Sequence, residues 1–176
     1  SIELRSGSVY VTSYGTGQNL TGADIVLSQG EDTWFHVQGD GEFTDCSVEI
    51  NAGRFCNESE SLTWNNCRVT VGKEGILENG SAHGRLARLG GTTLEIWGRA
   101  ELNGWDDQAR LTVHGKVTNY GEMALTMPVD LSEPIVNEGN LYYDQKRNER
   151  YRLEQGRYKL DLSQVTGNAP IPMEWE

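Results

Sequence analysis

The sequence predicts an all-β chain: a right-handed, single-stranded parallel β-helix of about five to six coils, ending in a C-terminal β-hairpin cap. Three observations predict it. The first is a repeat. "FTDCSVEI" (43–50) and "WNNCRVTV" (64–71) share one pattern: aromatic, two polar residues, cysteine, polar, valine, polar, aliphatic. The second is the absence of any sustained helical stripe before residue 140. The third is punctuation by glycine, 21 residues in all, scattered among short alternating segments rather than clustered in a linker.

The repeat has further copies. "LTGADIVL" (20–27) puts Ala23 in the cysteine place, and "TTLEI" and "ARLTV" follow more loosely. The columns read Ala23/Cys46/Cys67/Thr92/Ala109, Ile25/Val48/Val69/Leu94/Leu111 and Leu27/Ile50/Val71/Ile96/Val113. Residues between them are mostly polar. A period of two buries one side of a strand and wets the other. The copies are spaced 23, 21, 25 and 17 residues apart, the range of solenoid repeats. One coil cannot bury its inner side alone, so coils stack with strands in parallel. Parallel crossovers are right-handed, hence the expected hand. A β-sandwich also has short alternating strands and is the alternative.

Asn79, Asn103, Asn119 and Asn137 recur beside glycine and are expected at equivalent corners. Both residue types accept the tight backbone of a corner, and an asparagine amide can satisfy corner carbonyls. "GKVTNYGEMAL", "PIVNEGNLYY" and "GILENGSAHG" resemble the coils of secreted bacterial right-handed β-helices: filamentous adhesins, autotransporter passengers and pectate-lyase-like proteins. The resemblance covers roughly residues 20–143 and implies a surface or extracellular location.

Residues 1–143 are expected to form the solenoid with an N-terminal cap. Solenoid ends expose unpaired strand edges and need covering. "SIELRSGSVYV" is expected to pair as a first strand or fold over the open end. Residues 144–176 are expected to be a cap or docking segment, with "YRLEQGRYKLDL" as a hairpin and 141–176 as a possible oligomer contact.

The net charge is −11, all of it in residues 1–140, where 9 Lys/Arg face 20 Asp/Glu. Such a body repels phosphate, which argues against nucleic acid and anionic membrane partners. No apolar run is long enough to insert into a membrane. Cys46 and Cys67 fall in one inward column, one coil apart, where two free stacked thiols or a disulfide are both sterically open. Cys56 is expected in a polar turn.

Chemistry is sparse. "NGWDDQAR" offers Asp106 and Asp107 beside Trp105, with Trp97 one strand earlier. Paired carboxylates cleave glycosidic bonds and indoles stack on sugars. This stretch resembles the paired aspartates of pectin-degrading hydrolases. Trp34 and His36 alternate in "TWFHVQG" and should share one strand side, either an exposed row able to bind sugar or an ordinary strand face. Asp40, Glu42 and Asp45 are too few for calcium, and His36, His83 and His114 show no zinc spacing. No metal or cofactor is expected. The reading is a non-catalytic surface module that recognises a glycan or protein surface through Trp34, His36, Trp97 and Trp105. The alternatives are a polysaccharide-active enzyme using Asp106 and Asp107, and a segment of a larger fibre.

Overall fold

Alternating apolar residues give each strand a dry side, and the chain winds so that these sides face one another. The computed structural model describes residues 1–12, 18–38, 41–57, 61–79, 86–102, 110–126, 129–146 and 162–173. They form a parallel β-helix with three faces. The first coil is β1 (Ile2–Leu4), β2 (Ser8–Thr12) and β3 (Gln18–Thr21), and the second is β4 (Asp24–Leu27), β5 (Trp34–Gln38) and β6 (Gly41–Thr44). In the next two coils one long strand bends across two faces: β7 (Ser47–Asn57) followed by β8 (Ser61–Asn65), then β9 (Arg68–Asn79) followed by β10 (Leu86–Gly90). The fifth is β11 (Thr93–Ile96), β12 (Arg99–Leu102) and β13 (Arg110–His114). The sixth is β14 (Val117–Asn119), β15 (Glu122–Leu125) and β16 (Val129–Leu131). Two more coils contribute β17 (Ile135–Asn137), β18 (Asn140–Asp144), β19 (Val165–Gly167) and β20 (Ile171–Met173).

Because β7 and β9 pass through the corner, the first two faces make one 14-stranded sheet, and the third face is a separate sheet of six strands. The pairings are parallel. A β-sandwich is built from antiparallel strands, so that alternative is overturned. The terminal segments join the ladder, so coils extend beyond residues 8–143, over which about five to six were expected. The N-terminal residues pair as a first coil on β4, β5 and β6. At the other end β19 pairs with β17, and β20 with β18. Residues 151–161, most of the expected hairpin, lie outside the described residues.

Inside, the first-face column runs Ile2, Ile25, Val48, Val69, Leu94 and Val117. From Ile25 to Leu94 this is the column read from the sequence. The next member is Val117, not Leu111. The segment 109–113 belongs to the third face, where Leu111 pairs with Ala87 and Val129. A strand on any face alternates with the same period, so alternation alone does not identify the face. Beneath the second and third faces Phe35, Phe43, Phe55 and Trp64 pack together, with Phe35 and Phe55 stacked at 5.0 Å. The indole N–H of buried Trp64 has no hydrogen-bond partner. Such an unpaired donor costs about 1–3 kcal/mol.

The corner from third face to first explains the cysteine column. Gly22, Asp45, Asn66 and Gly91 all have positive φ there, and Asn66 donates to Asp45 at 2.6 Å. The residue that follows turns inward beside a carbonyl of the preceding coil. Cys46 Sγ lies 3.4 Å from Leu20 O, Cys67 Sγ 3.2 Å from Phe43 O, and Thr92 Oγ1 3.2 Å from Trp64 O. A small side chain with one hydrogen to donate fits this place. The fifth member is Gly115, not Ala109, because this corner is one residue shorter. A Cβ on Gly115 would stand 2.0 Å from Thr92 O. Cys46 and Cys67 are free and buried. Cys56 is buried in β7 rather than placed in a turn.

The corner from first face to second varies in length. Three residues (5–7) make it in the first coil and six (28–33) in the second, then three (51–53), four (72–75), and two in the fifth to seventh coils (97–98, 120–121, 138–139). In the two-residue form both N–H groups donate to one carbonyl of the coil before. Tyr120 and Gly121 donate to Ile96 O at 2.7 and 3.1 Å, and Glu138 and Gly139 to Asn119 O at 2.7 and 3.0 Å. Asn119 and Asn137 are fully buried at this corner, and Asn119 Nδ2 donates to Asn137 Oδ1 at 2.9 Å. Asn79 is not their equivalent: it ends the second-face strand, paired with Asn57. Asn103 lies outside the described residues.

Two predictions follow from these corners. A Cβ on Gly121 would stand 2.2 Å from Gly98 O, so Gly121→Ala should cost about 3 kcal/mol or more, because backbone on both sides would have to move. Gly7, with φ 83 and nothing nearby, should lose only about 1–2 kcal/mol as alanine. Urea titrations of both variants measure the contrast. Burial pushes the Cys67 thiol up from 9.0 to about 11. The unfolded chain therefore releases this proton first, and stability should fall as pH rises from about 9 to about 11. Thermal midpoints across that window should fall less in Cys67→Ala, and native Cys67 should resist an aromatic disulfide reagent at pH 8.

Candidate functional site: two aromatic stacks beside one corner

Parallel coils bring equivalent residues about 4.8 Å apart, so flat outward side chains on successive coils lie face to face. This happens twice beside the first-to-second corner.

The first stack starts on the second face. Tyr10 on β2 pairs with His36 on β5, and their rings stack at 4.3 Å with 4° between planes. Trp34, two residues earlier, is also parallel to His36, at 5.3 Å and 6°. Arg54, the ladder partner of Trp34, holds its guanidinium 5.1 Å from the indole centroid and donates to Glu78 at 2.7 Å. Trp34 and His36 share a strand side, as their alternation predicts. They do not form an exposed row: His36 is only 7% exposed and Trp34 is half-buried. The open ring of this stack is Tyr10, 57% exposed.

The second stack is Trp97 on Tyr120, at 4.1 Å and 13°. Each is the first residue of a two-residue corner, ahead of Gly98 and Gly121. Both remain exposed, at 42% and 41%. The Trp97 indole N–H donates to Glu95. Around the stack the outer surface is mostly acidic. Arg99 pairs with Glu101, and Asn140 donates to Glu122 at 2.9 Å. The Glu122 carboxylate beside Tyr142 holds that phenol above its ordinary value.

The ladder runs Trp34, Arg54, Ile76, Arg99, so the two stacks sit three strand steps apart, roughly 14 Å along the axis. Trp105, Asp106 and Asp107 lie outside the described residues, as do Asp40 and His83. Glu42 accepts from Asn65 and Thr44, and Asp45 from Asn66, so one carboxylate braces the third face and the other its corner with the first. Among the described residues no group of three His, Cys, Asp or Glu is placed to hold a metal ion, and no helix is long and apolar enough to cross a membrane. Tyr10, Arg54 and Tyr120 were missed from sequence. Tyr120 had a signal: "WG" and "YG" stand 23 residues apart, one coil, ahead of the same corner glycine.

This fold and surface define a parallel β-helix with exposed aromatic corners. No family model matches the chain, and neither a curated protein nor a solved structure matches it.

Removing the backing ring tests the second stack. Tyr120→Ala should lower stability by about 0.5–1.5 kcal/mol, the worth of an aromatic pair. It should also shift Trp97 fluorescence to the red, because the indole gains water on its covered side.

Proposed function

We propose that the chain is a non-catalytic recognition module that presents an aromatic corner of a rigid β-helix to a glycan on an extracellular or cell surface. The observation that carries this reading is the exposed Trp97–Tyr120 stack. An indole backed by a second ring and fixed between paired strands is held in place before the ligand arrives, which lowers the ordering cost of binding. Aromatic faces match the apolar faces of sugar rings, and neighbouring carboxylates, amides and ammonium groups match their hydroxyls. The acidic surface favours an uncharged glycan over a polyanionic one.

A second reading, a segment of a larger assembly, is favoured by exposed apolar residues on the terminal coils: Ile2 and Tyr10 at one end, Leu162 and Ile171 at the other.

The test is a broad glycan panel, with reducing-end release read in the same wells. We expect binding without release, and a loss of at least about tenfold in affinity for Trp97→Ala. Release that disappears in Asp106→Asn/Asp107→Asn would replace this reading with a polysaccharide-active enzyme. Silence in both channels would shift the assignment to the assembly.

A further inference from the structure

We propose that the recognised glycan is cationic: a de-N-acetylated amino sugar whose ring lies against the exposed Trp97–Tyr120 surface and whose ammonium is held by carboxylates of the same corner. This deepens the recognition reading above and rests on it.

The corner column carries the argument. Trp97, Tyr120 and Glu138 each open a two-residue corner, and their N–H groups donate to Val71 O, Ile96 O and Asn119 O in turn. Equivalent places in neighbouring coils stand one strand spacing apart, roughly 4.8 Å. The column therefore passes from two stacked rings to a carboxylate. Glu138 is exposed, and its carboxylate makes no hydrogen bond or ion pair among the described residues. At the Trp97 end, Glu95 accepts the indole N–H. Glu122, two residues past Tyr120, accepts from Asn140. Both donors are neutral, so both carboxylates keep their charge uncompensated. The cations nearby are already matched or turned elsewhere. Arg99 pairs with Glu101, Lys73 stands next to Glu74 on the corner before, and β14 separates Lys116 from Tyr120. Tyr142 already feels the negative potential, since Glu122 holds its phenol above the ordinary value.

Two kinds of surface in one place define the ligand. Trp97 and Tyr120, 42% and 41% exposed, offer apolar area that suits the C–H surface of a pyranose. The carboxylates offer acceptors with charge, and a charged donor bonds to them more strongly than a hydroxyl does. A neutral sugar uses the acceptors and leaves the charge. A sugar with a free amine uses both. N-acetylation removes that charge, so it should remove the preference. The net charge of −11 also raises the local concentration of any cation. A lysine-rich peptide shares that attraction, but it brings no ring for the aromatic pair.

The experiment uses the purified chain at about pH 6, below the ordinary range of amines, with calorimetry and Trp fluorescence. The probes are a linear glucosamine pentamer, its fully N-acetylated form, and pentalysine. We expect the amine form to bind at least about tenfold tighter than the acetylated one, and this preference to shrink at least about threefold between about 0.05 and 0.5 M salt. Glu95→Gln/Glu138→Gln keeps an oxygen at each place and removes the charge. It should abolish the preference at an unchanged thermal midpoint. Should that variant fail to fold, the salt series on the native chain decides: a preference that salt does not move overturns the proposal. Equal or tighter binding of the acetylated form, or a preference that survives in the folded variant, overturns the cationic ligand and leaves the recognition reading standing. So does silence of both pentamers while the panel yields a neutral glycan. Pentalysine binding as tightly as the amine pentamer also overturns it, in favour of a basic protein surface. Absence of binding by these probes and by the whole glycan panel overturns both.

Discussion

The fold depends on one requirement: where the chain turns, its backbone N–H groups must find carbonyls in a neighbouring coil. Within strands the parallel ladder supplies these partners automatically. At a corner the ladder is interrupted, and the polar groups there are too close to the core to rely on water. The two-residue corner solves this by aiming two N–H groups at a single carbonyl, as Tyr120 and Gly121 do at Ile96 O. Approach that close excludes a Cβ, which is why glycine fills the second place. Asparagine fits the place before. Asn119 Oδ1 accepts from Gly121 N at 3.1 Å, and its amide donates to Asn140 O at 3.0 Å. At the third-to-first corner Gly22, Asp45 and Gly91 donate to the coil after, at Thr44 O, Asn65 O and His114 O, while the inward side chains of Cys46, Cys67 and Thr92 lie beside carbonyls one coil back.

These requirements explain which parts of the fold were legible in the sequence. The first-face column was readable from Ile25 to Leu94 because it combines alternation with a fixed corner residue. Reading failed at Leu111, where alternation was present and the corner was not. The true continuation, Val117, follows a corner shortened by one residue, and that shift carries it out of the count. Asn79 misled for a related reason. Asparagine beside glycine serves any turn, and nothing local says which corner it occupies. Cys56 seemed a turn residue because "NAGRFCNESES" is polar and glycine-bearing, yet β7 runs straight through it. Its Gly53 marks a close approach to Thr33 O rather than a loop.

The candidate site was half legible. Trp97 could be singled out as an aromatic near acidic residues, and Trp34 with His36 as a shared strand side. What sequence could not supply was the stacking partner, because that requires knowing which residue lies one coil away. The register makes Tyr10 the partner of His36, and the common corner makes Tyr120 the partner of Trp97. The same knowledge reverses the ranking of the two aromatic groups. Trp34 and His36 spend their faces on each other and on Arg54, so they are structural in the main. Trp97 stays exposed at its corner.

The corner ahead of Trp97 is irregular. Had the fourth coil turned with the two-residue corner of its successors, the residue over Trp97 would carry a side chain, as Trp97, Tyr120 and Glu138 do in theirs. Instead residues 72–75 turn with glycine at both ends, and Gly72 takes that place. Gly75 is fixed by packing, since a Cβ there would meet Ile50 O at 1.8 Å. Gly72 is crowded from the same side: a Cβ there would stand 3.0 Å from Asn51 Oδ1, 3.1 Å from Asn51 Cα and 3.4 Å from Ile50 O. Glycine at both ends of this corner is therefore set by the coil before it.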